Sequence, residues 1–291
     1  MKVVLSLVLF AICGGWPAAS SLNAQVITGI GDWVMLGVDP QRDRLAREYH
    51  LDVEKPSHED CAKLAHDFPT LVAGEQYQVL DYFWPKVRCA EFVAVLAPLA
   101  QLPKEPEKGA ETLCDQAFIR LNDLSPGTVR PVILEDLRRA KPLLSMSVLL
   151  ALPDKELPEL DDALLGNLTN PEADIWKVAP LIERYAGARI MPQVVAFYTA
   201  KQGWACSLQT AFLRYWLKHD RPAALQAIEK AANSRKATGC YKSVLGDTLR
   251  DSFAPDAEEL ALKFADDPDP DVAADAKRLL EQHPSTSRDA R

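Results

Sequence analysis

The chain has little of what a nucleotide-binding or sheet-built enzyme uses. Glycine is scarce, 13 of 291 residues, and neither G-x-x-x-x-G-K nor G-x-S-x-G occurs. No glycine-rich cradle for a phosphate and no strand-turn nucleophile site is therefore encoded. Histidine is rarer still, at positions 50, 58, 66, 219 and 283, and none accompanies a recognisable Ser or Cys nucleophile context. Positive charge is in deficit: 33 Lys and Arg against 41 Asp and Glu give −8 at pH 7. An acidic chain with no basic cluster repels phosphate backbones, so no nucleic-acid partner is expected. Beyond the N-terminus no stretch is apolar for the ~20 residues that a membrane-spanning helix needs. No long run alternates apolar and polar residues, which argues against half-buried strands.

The N-terminus reads MKVVLSLVLFAICGGWPAASSLNAQ. Lys2 precedes a ten-residue apolar run, Val3 to Ile12, followed by the small residues Ala18, Ala19, Ser20 and Ala24. This is the layout of a secretory signal peptide, with cleavage expected after Ala24 and, as the alternative, after Ser20. A buried N-terminal helix is the competing reading. Ile12 stands before Cys13, where a lipoprotein signal wants a small residue. Loss of residues 1–24 removes one lysine and no acid, taking the charge from −8 to −9.

The 21 prolines punctuate helical stripes. Apolar residues at i, i+3, i+4, i+7 mark Cys61, Leu64, Ala65, Phe68; Cys89, Phe92, Val93, Leu96; Cys114, Ala117, Phe118, Leu121; and Val178, Leu181, Ile182, Tyr185. The longest stripe is Trp204, Leu208, Ala211, Phe212, Tyr215, Trp216. Tyr241, Val244, Leu245, Leu249, then Leu260 and Phe264, then Val272, Ala276, Leu279 and Leu280 complete the series. Pro192, Pro222, Pro255 and Pro270 fall at expected first turns, where the missing N–H costs nothing. The fold class is all-α. From Asp161 onward the helices pair across short turns at Asn170-Pro171, Asp220-Arg221-Pro222 and Asp267-Pro268.

In FADDPDPDVAADAKRLLEQH, residues 264–283, one helix ends by Pro268, Asp269 is an N-cap and Pro270 a first helical residue. The segment from Leu260 to Leu280 resembles a HEAT repeat, the helix–turn–helix unit of α-solenoids, through Leu262, Ala265, Asp267, Pro268, Asp269, Val272, Ala276 and Leu279. Where that family often carries an Arg that pairs with an aspartate of the next repeat, this chain has Ala273. A fainter echo runs over residues 164–186, with Asn170 and Pro171 at the turn and Trp176, Val178 and Ile182 expected to face the core. The resemblance covers about 161–282. It implies an α-solenoid of HEAT-like hairpins, each burying its apolar face only by stacking on the next. The expected organisation is a signal peptide over 1–24, an irregular helical N-terminal region without repeats over 25–152, the solenoid over 153–283, and a polar tail over 284–291. The boundary lies at PDKELP, 153–158; LPKEPEKG, 102–109, is the other linker-like stretch.

Six cysteines become five without Cys13, so one thiol is expected to be unpaired or intermolecular. Cys206 and Cys240 open neighbouring elements and are one candidate disulfide; Cys61 and Cys89 are the other, against the reading of Cys61, Cys89 and Cys114 as plain core residues. HEDCAKLAH, residues 58–66, gathers potential metal ligands in His58, Glu59, Cys61 and His66. However, His66 lies about 140° around the helix from Cys61. A helix start capped by Ser57, with Asp60 as the third-residue acid, is the simpler reading. Asp161-Asp162 and Asp266-Asp267 read as helix-end acids, and Trp204, Tyr215 and Trp216 as core. Asn167-Leu168-Thr169 is a glycosylation acceptor in a eukaryotic source only. No motif implies a cofactor. The function expected is that of an exported, noncatalytic scaffold for a protein partner. The alternative is a metal- or small-ligand-binding module, or an enzyme, in residues 25–152, favoured by HEDCAKLAH and by the aromatic run Tyr77, Tyr82, Phe83 and Trp84.

Overall fold

Helix ends organise this fold. The computed structural model describes residues 40–103, 112–200, 205–235 and 239–284. The signal segment, most of LPKEPEKG, Trp204 and the tail beyond Pro284 lie outside them. Among the described residues there are fifteen α-helices and no strand, and no helix is long and apolar enough to cross a membrane. The chain divides into two compact units: 1–137 with 142–153, and 138–141 with 154–291.

The first unit holds α1 (Pro40–Glu48), α2 (His58–Asp67), α3 (Ala73–Asp81), α4 (Glu91–Leu96), α5 (Leu113–Leu124), α6 (Pro126–Leu137) and α7 (Met146–Leu149). Ser57 and Asp60 form the expected capping box on α2, and Thr112 with Asp115 forms a second on α5. The stripe residues Leu64, Phe68, Phe92, Phe118 and Leu121 are all buried. Phe92 meets Phe68 and Trp84 edge-on at 5.6 and 5.7 Å between ring centres, the geometry that aromatic quadrupoles favour. A disulfide joins Cys61 in α2 to Cys89 ahead of α4, with Cα atoms 6.4 Å apart. Order of packing here is more regular than the sequence indicates. Alternate helices are neighbours, α1 on α3, α3 on α5, α5 on α7 and α2 on α4.

The second unit holds α8 (Asp161–Thr169), α9 (Ile175–Tyr185), α10 (Met191–Ala200), α11 (Cys206–His219), α12 (Arg221–Asn233), α13 (Val244–Leu249), α14 (Pro255–Phe264) and α15 (Pro270–Gln282). Asp174, Asp220 and Asp269 cap α9, α12 and α15 through their side chains. Pro222, Pro255 and Pro270 sit in first turns. Helices pack in sequence pairs, α8 on α9, α10 on α11, α12 on α13, α14 on α15, and also across pairs: α9 on α11, α11 on α13, α13 on α15, α8 on α10, α12 on α14. One core of Leu213, Ile228, Val244, Leu249, Leu260, Phe264, Val272 and Leu279 runs through α11 to α15. Cys206 is bonded to Cys240, with Cα atoms 5.0 Å apart, tying the start of α11 to the turn before α13.

No cysteine is free among the described residues, Cys114 included. Two expectations change. Trp176 is 55 % exposed rather than in the core: it stands two residues, about 200°, from Val178 on the buried stripe. Asn167 is only 8 % exposed inside α8 and donates to the Arg139 carbonyl at 2.9 Å, a poor position for a glycan acceptor.

Phe118 has no exposed surface and lies at the centre of α5. Phe118→Ala is expected to lower the unfolding free energy by about 3–5 kcal/mol, read as a reduced urea midpoint at unchanged slope.

Candidate functional site

Short helices leave many backbone groups unpaired, the first four N–H and last four C=O of each. In the second unit several of these groups are closed by side chains from the neighbouring hairpin, in addition to the local caps Asp174, Asp220 and Asp269. Asp275 of α15 accepts the Gly246 N–H of α13 at 2.7 Å. Asp161 of α8 accepts the Gly187 N–H, ahead of α10, at 2.8 Å, and Tyr215 of α11 donates to the Gly187 carbonyl at 2.7 Å. At the opposite helix ends cations do the work. Arg214 of α11 donates through Nε to the Asp247 carbonyl of α13 at 2.9 Å, and Lys218 donates to the Glu183 carbonyl of α9 at 2.7 Å. A carboxylate at an N-terminus and a cation at a C-terminus each complement the helix dipole. The partners stand 29, 26, 28, 33 and 35 residues apart, about the length of one helical pair.

The first unit repeats the device. Asp136, fully buried, accepts the N–H of Leu143 and Leu144 at 3.1 and 2.9 Å ahead of α7. Arg120 donates to the Leu80 carbonyl of α3 at 2.7 Å. Asp115 closes its own helix and also accepts the Ser145 hydroxyl at 2.6 Å.

Around Arg214 the caps merge into an ionic band over α9, α11 and α13. Arg214 faces Glu183 and Asp251 at 3.5 Å each, and Lys218 and Arg184 face Asp154 at 3.4 and 3.7 Å. Burial pushes the Glu183 carboxyl above its usual range despite Arg214 and Lys218. Burial likewise raises Asp275 above its ordinary 3.8, with Asp247 adding to it while the Gly246 N–H and Arg278 oppose it. Tyr215 is pushed up by burial and by the charges of Asp161 and Glu156. His219, its side chain 4 % exposed, packs against the Tyr215 ring at 4.6 Å; its Nδ1 lies 3.8 Å from Glu156 and its Nε2 has no hydrogen-bond partner among the described residues.

Asp161 is a correction to the reading of paired acids as caps of their own helices: it is 1 % exposed, takes the Gly187 N–H, and with Asp162 holds Arg189. Sequence gave no signal for Asp136, Asp275 or Arg214, because each acts on a backbone group far away in the chain. Asp267, by contrast, carries an ion pair that does not involve the Ala273 position. Arg235, 32 residues earlier, bonds it at 2.6 Å. Arg235 also lies over the Tyr241 ring, while Tyr241 and Lys242 reach Asp269 and Asp271. The HEDCAKLAH residues do not converge. The sulfur of Cys61 is bonded to Cys89, His58 faces Glu91 at 3.2 Å, and His66 is exposed. Among the described residues no three His, Cys, Asp or Glu side chains are grouped to hold a metal. No family model matches the chain, and no curated protein or solved structure is similar enough to it to count as a match.

Gly246 and Gly166 make a matched test. A Cβ at Gly246 runs into the Asp275 carboxylate, whereas one at Gly166, inside α8, meets no described atom within 4 Å. Gly246→Ala is expected to cost about 2–4 kcal/mol through the clash and the lost bond. Gly166→Ala is expected to gain about 0.5–1 kcal/mol; paired denaturant titrations read both. Asp275 also sets a pH dependence. Its folded pKa exceeds the unfolded one, so its contribution is complete below about 3.8 and is lost as pH rises through the folded value. Asp275→Asn keeps an acceptor for Gly246 and removes the titration. Its stability relative to the native protein should therefore improve from pH 4 towards neutrality, as followed by melting temperature across that range.

Proposed function

We propose that the chain is an exported, noncatalytic α-solenoid of HEAT-like hairpins, at least over residues 161–282, that offers an extended surface to a protein partner. The observation that carries this reading is the succession α9–α11–α13–α15, each helix packed on the next but one, with both ends of α13 and the C-terminal end of α9 closed by side chains from about one helical pair away. Nearest-neighbour packing of this kind is what stacked repeats require. The resemblance of residues 260–280 to a HEAT unit, and the Arg235–Asp267 bond at the turn of that unit, add support. Export is supported by the signal-like N-terminus and by the two disulfides, which persist in oxidising compartments. Repeat arrays usually bind along a face built from one set of helices. Trp176 in α9 and Leu262 in α14, both 55 % exposed, mark the two sets.

A photocrosslinking amino acid in place of Trp176 or of Leu262 tests the scaffold reading in the native exported fraction. The expected outcome is a reproducible protein adduct from one of the two positions and not the other, lost on mild denaturation. The absence of any adduct from both positions, or equal adducts from both that survive denaturation, would sink it.

A further inference from the structure

The aromatic run that the scaffold reading leaves unused divides sharply. Phe83 and Trp84 are buried, and Trp84 donates to Asp123 at 2.9 Å, while Tyr82 is 56 % exposed. Tyr82 is held out on purpose-built supports. The Arg42 guanidinium lies over its ring at 4.3 Å, Arg42 Nε donates to Gln78 Oε1 at 2.6 Å, and the Phe83 ring meets it edge-on at 5.0 Å. Beside it Lys86 is anchored by a 2.8 Å bond to the Leu51 carbonyl. These groups wall a cleft of about 300 Å³ whose lining also includes Asp43, Ala46 and Asp52, with the buried Leu51 and Phe83 behind it. That volume is at the lower end of small-ligand sites, and the few fixed polar groups set what fits.

We propose that this cleft in the first unit binds a small zwitterion, an amino acid or dipeptide. Its carboxylate is taken by Arg42 and Lys86, its ammonium by Asp43 and Asp52, and its carbon body lies on the exposed Tyr82 ring. Two cations and two carboxylates around one cleft suit a ligand that carries both charges better than one that carries a single charge. Arg presents a planar fork to a carboxylate, and Lys adds a point charge. Because Arg42 and Lys86 are already held by Gln78 and by the Leu51 carbonyl, little side-chain freedom is lost on binding. This inference stands apart from the scaffold reading, which concerns the second unit.

Titration of the full-length protein with L-alanyl-L-alanine, followed by calorimetry and by amide and aromatic NMR shifts, tests it. The expected result is saturable binding with a Kd of about 1 mM or tighter, with shifts centred on Tyr82. N-acetylated and C-amidated forms of the dipeptide should each bind about tenfold or more weakly. Asp52→Asn and Lys86→Gln, both exposed positions, should weaken the dipeptide by a similar factor while leaving the circular-dichroism spectrum unchanged. No saturable binding, equal binding of a capped form, or shifts centred elsewhere overturns the proposal.

Discussion

A six-residue helix such as α13 is nearly all ends. Four N–H and four C=O groups lack partners inside any helix, so α13 depends on groups that others supply. Asp275 takes its Gly246 N–H and Arg214 takes its Asp247 carbonyl. One reaches back from the hairpin that follows and the other reaches forward from the hairpin before. A buried carboxylate is costly unless bonded, and the upward pKa of Asp275 shows that here desolvation outweighs the bond it makes. The cost is tolerated because an uncapped, buried N–H would itself cost about 1–3 kcal/mol. Packing of the apolar stripes and closure of the helix ends are thus satisfied by the same neighbour.

Much of this was legible in the residues. Stripes such as Val178, Leu181, Ile182 and Tyr185 identify a buried face because helical spacing is local and is read directly. Ser57 with Asp60, and Asp269 with Pro270, announce helix starts because a cap lies within three residues of what it caps. Trp176 shows the limit of reading by residue type: an apolar side chain off the stripe angle turns outward whatever its size. Asp161 shows another. Two adjacent acids at a helix start look alike, yet Asp161 is buried against Gly187 and Asp162 is exposed, and only the third dimension separates them.

The cleft was half legible. Tyr82 and Phe83 stand out in the sequence as part of an aromatic run, but Arg42, Asp43 and Asp52 come from α1 and the turn after it, some thirty to forty residues earlier. Nothing in either segment alone indicates that they share a wall. The regular neighbour order in the first unit was likewise hidden, since its stripes carry no repeated turn motif to mark a period, and the alternate-helix packing follows from geometry rather than from a repeated sequence.

The bond from Asp275 to Gly246 has a further effect on how the molecule breathes. If α15 detaches for an instant, α13 loses an acceptor at its first turn as well as an apolar neighbour. Exchange of the Gly246 amide with solvent deuterium is then governed by the opening of a helix 29 residues further along the chain. Fraying at the C-terminal hairpin is in this way felt one helical pair inward, at a backbone amide.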